Sequence, residues 1–398
     1  MTFPKKTESN QRTVSRAGRG QVPDFTFPIG NESVILPAHY RIKGINYLIF
    51  NLLMENQGRT ELSSLGEFGI INRIASKTEK YQESTRTGIG DDAAVLAYPA
   101  GEEVLVSTDL LAEGVHFDLS YTPLHLLGYK AVAVNLSDIA AMNAVPRQIL
   151  VSLALSNRFS MEAIEALYDG IRQACKEYHV DLAGGDTTSS QSGLVLSVTA
   201  LGTQKPDLIV NRSGARVGDL ICVSGDLGSA YMGLQILRRE KKVFEADPDM
   251  QPEISDEQAY LLQRQLKPEA RTDIVYELAE KNILPNSMID VSDGLASELF
   301  HLCSKSGVGV QIFEDKIPVE NLTKLAASDF GLSPLTCALN GGEDYELLFT
   351  VPLSEFDKVA KMPDVSIIGV VKNADYGKKL VLKSGQETEL KAQGWVHF

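Results

Sequence analysis

Six short stretches of this chain set carboxylates among glycine, serine or threonine beside apolar runs, at residues 88–95, 106–109, 134–138, 184–188, 288–294 and 340–346. Carboxylates brought together in a partly buried place repel one another and lose hydration, so several persist in one site only when cations neutralise them. The donor set is all oxygen, with no clustering of Cys or His, which selects a hard divalent ion such as Mg²⁺; that ion commonly holds phosphate oxygens together with one or two carboxylates. Each stretch also has a plainer use. Asp91 and Asp92 in a Gly-Ile-Gly turn, and Asp290 and Asp293 around Ser292 ahead of a helix, are ordinary positions for turn or helix capping. Asp138 interrupts a run of Ala, Val, Leu, Ile and Met on a helix that must be largely buried, where a hydrogen bond or a nearby Lys could satisfy it. Ser107, Thr108 and Asp109 offer two hydroxyls beside a carboxylate. Gly184 and Gly185 expose backbone amides suited to phosphate oxygens, with Asp186 beside them. Six such stretches in one chain are hard to assign to capping one by one.

The elements that must position these groups follow from periodicity. From Gly66 onward helical and strand patterns alternate, giving helices at 67–76, 123–142 and 161–178, the last with Ser160 as N-cap, and strands at 104–107, 149–155 and 195–201. After a polar, Pro-containing turn at 204–207 a second unit begins: strand 219–224, helix 230–239, a charged Pro-bearing insertion at 241–257, helix 270–281, strand 287–291, helix 295–305 and strand 346–351. The expected boundaries are an extension at 1–60, a metal- and ATP-binding N-terminal unit at 61–205 and an α/β unit at 206–398. Residues 1–60 are basic, rich in Ser, Gly, Asn and Pro and without sustained periodicity, and are read as poorly ordered; Met54 stands where translation would begin if this extension is not made.

Composition narrows the function. With 398 residues, 43% hydrophobic and 23% charged, the chain has the make-up of a globular protein long enough for two domains. Its net charge is −14; residues 1–60 contain eight Lys/Arg against four Asp/Glu, so the rest carries −14 − 4 = −18, which argues against a nucleic-acid surface. Cys175, Cys222, Cys303 and Cys337 are scattered, which supports neither a disulfide framework nor a zinc site and suits a reducing cytoplasm. The apolar stretch at 45–54 contains Asn46 and Asn51 and is too short to span a bilayer. Neither a GxxxxGK[ST] phosphate loop nor a His-Arg-Asp catalytic loop occurs, and the glycines at 225–233 lack the full dinucleotide fingerprint.

Taken in order, Leu-Gly-Glu-Phe-Gly at 65–69, Gly-Asp-Asp-Ala at 90–93, Ser-Thr-Asp at 107–109, Asn-Leu-Ser-Asp-Ile-Ala-Ala-Met at 135–142, Gly-Gly-Asp-Thr-Thr at 184–188, Asn-Arg-Ser-Gly at 211–214, Asp-Val-Ser-Asp-Gly at 290–294 and Gly-Gly-Glu-Asp-Tyr-Glu at 341–346 resemble the thiamine-monophosphate kinases, in the superfamily of aminoimidazole ribonucleotide synthetase. The likeness runs from about Glu61 to Phe398. It implies a two-domain α/β (α+β) architecture, with an N-terminal mixed sheet and helices followed by a C-terminal α/β domain, dimerising through the N-terminal domains. It implies in-line transfer from ATP to thiamine monophosphate, with several Mg²⁺ ions. Carried over by position, Asp92, Ser107, Thr108, Asp109, Asp138, Asp186, Asp290 and Asp293 match metal positions, with Asp109, Asp138 and Asp186 central to catalysis. Gly185, Asp186, Arg212 and Ser292 match ATP contacts, and His116, Glu343 and Trp395 match the region that holds thiamine. Other readings are a related synthetase that activates an amide or carbonyl oxygen as a phosphate, sharing the Asp clusters but not His116, the 341–345 segment or Trp395, and a catalytically silent Mg-nucleotide sensor.

Overall fold

The structure, a computed structural model, describes residues 27–29, 32–34, 60–90, 92–248, 250 and 254–392. Within the N-terminal extension it places one short antiparallel pair, Phe27–Ile29 with Glu32–Val34, in a region where no periodicity was expected. Trp395 and Asp91 lie outside the described residues.

The first unit opens with helix α1 (Leu62–Ala75), kinked at Gly66, and a short antiparallel pair, Thr85–Thr87 with Val95–Leu96. Its sheet comprises β1 (Glu103–Ala112), β2 (Val145–Leu155), β3 (Asp181–Ser189) and β4 (Leu194–Gln204), in the order β1-β4-β2-β3. Only the β2/β3 pair is parallel, and the right distance between those strands is spanned by a helix, as a parallel crossover requires. One face of the sheet is covered by α2 (Leu124–Ala141) and α3 (Met161–Tyr178), the latter capped by Ser160, whose side chain accepts from the Ala163 amide. The alternation of β1 puts Leu105 and Leu111 into this core and leaves Val104, Val106 and Leu110 on the other face, exposed at 44%, 63% and 58%.

Helices α2 and α3 approach backbone to backbone. A Cβ on Gly128 would stand 2.0 Å from the Leu167 carbonyl oxygen, and one on Gly170 would stand 1.7 Å from that of His125. Alanine at position 170 would gain about 1 kcal/mol of helix propensity, yet the overlap forces the helices apart, and the expected net loss is about 1–3 kcal/mol. Denaturant unfolding of Gly170→Ala tests this; an unchanged or higher midpoint would show that the close approach is not obligatory.

The second unit contains β5 (Leu220–Ser224), β6 (Ser287–Asp290), β7 (Gly309–Phe313), β8 (Leu347–Val351), β9 (Val365–Lys372), β10 (Lys378–Val381) and β11 (Glu387–Glu389), ordered β6-β8-β5-β9-β7-β10-β11. Its helices are α4 (Ser229–Ala246), α5 (Asp256–Leu266), α6 (Thr272–Glu280), α7 (Leu295–Ser306), α8 (Asn321–Asp329) and α9 (Pro334–Asn340). The stretch expected as an insertion at 241–257 is instead partly helical: α4 continues to Ala246, and α5 starts behind a capping box in which Ser255 and Gln258 satisfy each other's backbone amides.

The described core falls into four clusters, each with one free, buried cysteine: Cys175 between the first sheet and its helices, Cys303 and Cys222 on the two sides of the second sheet, and Cys337 among α4, α5, α8 and α9. Helix α2 belongs to two of them, since Ala131–Leu136 packs in the first cluster while Ala140 and Ala141 pack against the second unit's sheet. Among the described residues no helix is long and apolar enough to cross a membrane.

Candidate active site

Helix α2 carries the site because three residues within about one turn of it face different partners. Asn135 accepts the Asp109 amide at 3.0 Å, Ser137 donates to the Asp290 carboxylate at 2.7 Å, and Asp138 accepts from Ser107 Oγ. Ser107 and Asp109 lie two apart on β1 and so share its helix-facing side, while Asp290 ends β6 of the other unit. Asp109, Asp138 and Asp290 therefore lie near enough, where the two units join, for their charges to act on one another.

The electrostatics show that these acids are not comfortably paired. Burial, reinforced by Asp138, pushes Asp109 up to about 6. Burial raises Asp138 against the opposing pull of the Ser107 hydrogen bond and Arg212. Asp290 rises to about 7, mainly through burial and then the nearby Asp138, with Ser137 and Arg212 opposing. Behind it Glu298, which accepts the Asp293 amide at 3.2 Å, is driven to about 8 by burial and by Asp290. Arg212, on an exposed loop, is the cation felt by Asp138, Asp290 and Glu298 alike. Helix α7 has Gly294 as its N-cap, with no side-chain cap from that residue, and the Asp290 carboxylate accepts from Ser137 on α2.

The 340–346 segment folds onto this turn through main-chain bonds, from the Glu343 amide to Ser292 O at 2.6 Å and from the Tyr345 amide to Val291 O at 2.9 Å. Gly342 is required here: its φ is +73°, and a Cβ would stand 2.6 Å from Ser292 O. Glu343 then meets the buried ammonium of Lys130, on α2, at 3.0 Å, and the amide of Gln265 at 2.5 Å. The Tyr345 hydroxyl is held neutral by burial and by the field of Glu343, Asp290, Asp109 and Asp138. The other acids of this segment, to which no site role was given, cap and pair. Asp344 accepts the Gly228 amide at 2.8 Å at the start of α4, and Glu346 joins Arg264 at 2.8 Å and Arg271 at 2.5 Å.

The remaining candidates stand apart from the three carboxylates. Thr108 alternates to the exposed sheet face, bonding Val198 O at 3.1 Å. Asp186, expected on a turn, lies inside β3; its register with Ser152, Ser197 and Leu110 puts it on that same exposed face. Gly185 neighbours it in the Asp109 row. Asp92 is exposed on the loop between the two short strands, which lie against β3. His116 is half-buried in the turn after β1, where Nδ1 accepts the Ala112 amide at 3.0 Å, so that the neutral ring carries its proton on Nε2. Among the described residues no three Asp, Glu, His or Cys side chains stand within coordination reach of a common point. Sequence reasoning missed Lys130, Ser137, Glu298 and Gln265. Of these Lys130 left a signal, since a lysine inside an apolar helix is as anomalous as Asp138.

Two family models match the chain: "AIR synthase related protein, N-terminal domain" over residues 90–204 and "AIR synthase related protein, C-terminal domain" over 216–380. Curated proteins called thiamine-monophosphate kinase are similar across nearly their whole length. That of Aquifex aeolicus is 36% identical, covering 85% of this chain and 99% of the relative, and that of Bacillus subtilis is 35% identical, covering 84% and 100%. A solved structure described as AaThiL complexed with AMPPCP and TMP superposes with a TM-score of 0.65 at 34% identity, covering 86% of this chain and 100% of that one. The thiamine-monophosphate kinase of Stenotrophomonas maltophilia gives 0.68 at 31% identity, covering 82% and 98%.

Proposed function

Because this chain belongs to the thiamine-monophosphate kinase family, with two AIR synthase related domains, we propose which of its residues carry out ATP-dependent phosphorylation of thiamine monophosphate to thiamine diphosphate. It is a phosphotransferase whose acceptor is itself a phosphate. The observation that carries our reading is the group Asp109, Asp138 and Asp290, whose burial and mutual repulsion are opposed at Asp138 by Ser107 and Arg212 and at Asp290 by Ser137 and Arg212. Carboxylates with a hydroxyl, Ser107, and no thiol or imidazole among them fit Mg²⁺ in charge and in donor type. We assign Mg²⁺ to these residues and extend the set to Asp92, Thr108, Asp186 and Asp293. When bound, Mg²⁺ screens the two phosphate groups from each other and aligns them for in-line transfer.

We assign Gly185, Asp186, Arg212 and Ser292 to ATP, and His116, Glu343 and Trp395 to the thiamine moiety. Lys130 and Gln265 hold Glu343 in position. No residue needs to act as general base: a phosphate monoester has its second pKa at about 6, so the acceptor is already a dianion at neutral pH. The unit boundary is drawn at 205/206. The exposed Val104, Val106 and Leu110 on edge strand β1 support a homodimer formed on that sheet face. Four free, buried thiols support a cytoplasmic location.

The deciding assay is ADP release by the purified protein with ATP and Mg²⁺, with and without thiamine monophosphate. Release that does not depend on thiamine monophosphate would overturn the assignment. A second expectation follows from the raised carboxyl values. An acid whose folded pKa exceeds its unfolded value of about 4 favours folding at low pH and loses that contribution as pH rises through the folded value. With Asp109 near 6 and Asp290 near 7, metal-free protein should lose thermal stability between about pH 4 and pH 7. Since Mg²⁺ competes with those protons, it should raise Tm more at pH 8 than at pH 5.5. Equal shifts at the two pH values would count against these acids as ligands.

A further inference from the structure

Behind the loop that carries Asp92 sits a buried polar clasp that none of the assigned roles uses. Gln148 on β2 is completely buried and has its whole amide engaged by residues from both ends of that loop. Its Nε2 donates to Ser84 Oγ at 2.7 Å and to Thr85 Oγ1 at 2.9 Å, on the entering side, and its Oε1 accepts from Tyr98 OH at 2.7 Å, on the leaving side. A main-chain bond from the Ala97 amide to Ser84 O, 2.8 Å, closes the neck between them. Directly across the strand pair from Gln148 stands Asp181, 2% exposed, whose Oδ1 accepts the amides of Tyr81 and Gln82, the latter at 3.0 Å. The strand register shifts between Pro146 and Gln148, and a bulge of this kind turns a side chain out of its regular direction. A buried glutamine with every bond spent on a neighbouring loop is costly to keep unless that loop must be held in one place.

We propose that Gln148, with Asp181 beside it, is a positioning residue for Asp92: the clasp fixes both ends of the 85–98 loop against the sheet and so sets where the Asp92 carboxylate is presented to Mg²⁺. This rests on the assignment of Asp92 as a metal ligand. Groups that orient a ligand from behind typically change metal affinity by about 10–100-fold when removed.

The test compares Gln148→Leu, Tyr98→Phe and Asp92→Asn with the wild type in two measurements: the Mg²⁺ concentration giving half-maximal ADP release, and hydrogen exchange of peptides covering 86–97 in metal-free protein. Gln148→Leu should raise half-saturating Mg²⁺ by about 10-fold or more, leave KM for thiamine monophosphate unchanged and speed exchange across the loop. Tyr98→Phe, which releases only the leaving side and keeps the core filled, should shift both readouts in the same direction by less, and it carries the test if Gln148→Leu fails to fold. Asp92→Asn should raise half-saturating Mg²⁺ without speeding exchange. If Asp92→Asn shows its defect while the clasp variants loosen the loop with no change in Mg²⁺ dependence, the positioning role is wrong. Unchanged Mg²⁺ dependence in Asp92→Asn itself overturns the metal role of Asp92, and the positioning role with it.

Discussion

Asp109→Asn is expected to lower turnover by about 10³-fold, the equivalent of about 4 kcal/mol of transition-state stabilisation, while leaving the metal-free protein at least as stable as the wild type. The two effects have opposite signs for one reason. The Asp109 carboxylate is partly buried and faces Asp138, and both features raise its pKa to about 6, so at neutral pH its charge works against the fold. Asparagine keeps the shape and removes that charge. On the proposed role, the reaction between two phosphates needs that charge to retain the cation between them. Steady-state ADP release at saturating Mg²⁺ and thermal unfolding in chelator measure the two halves separately. Near-normal turnover would remove Asp109 from the machinery, and a large loss of metal-free stability would show that it is a structural acid.

Glu346→Ala is expected to cost about 3–5 kcal/mol of stability, because it removes the buried carboxylate that two guanidinium groups share. Glu346 is 1% exposed; its two oxygens take Arg264 and Arg271, and Ser224 donates to it at 2.6 Å. Burial lowers both arginine pKa values and the carboxylate raises them, with the raising effect prevailing in each case. Denaturant unfolding of the two proteins under identical conditions gives the difference. A loss below about 1 kcal/mol would mean that Asp226 and Asp344 suffice for Arg264 and Asp273 for Arg271, and that the network is redundant.

The contrast between Asp109 and Glu346 marks what could be read from the sequence. Both occur in an acid-bearing motif beside an apolar run, and local pattern does not tell a ligand from a structural counter-ion. The distinction depends on Arg264 and Arg271, which lie 82 and 75 residues earlier in the chain. Helices α2 and α3 were legible almost to the residue, α2 from Pro123 at its start and its Ala-rich apolar run, α3 from 3.6-residue periodicity and the Ser160 cap. Strand β3 was not, since Gly184, Gly185 and Asp186 carry turn chemistry and only pairing with β2 keeps them extended. Helix α5 was hidden by its polar composition, although Ser255 and Gln258 form a legible capping signal. The family resemblance supplied the kinase reading. It could not supply the partition of the acids, because the sheet alternation that separates Thr108 and Asp186 from Asp109 and Asp138 becomes visible only in the register.

One thiol in each of the four packed clusters gives the molecule its own set of internal sentinels. Burial lifts Cys175 to about 12 and Cys303 and Cys337 to about 11, and raises Cys222 too, so almost none of them is thiolate at neutral pH. An alkylating reagent therefore reads only molecules that have come open, and because each cysteine sits in a different layer, the sequence in which the four sites become labelled records which layer parts first.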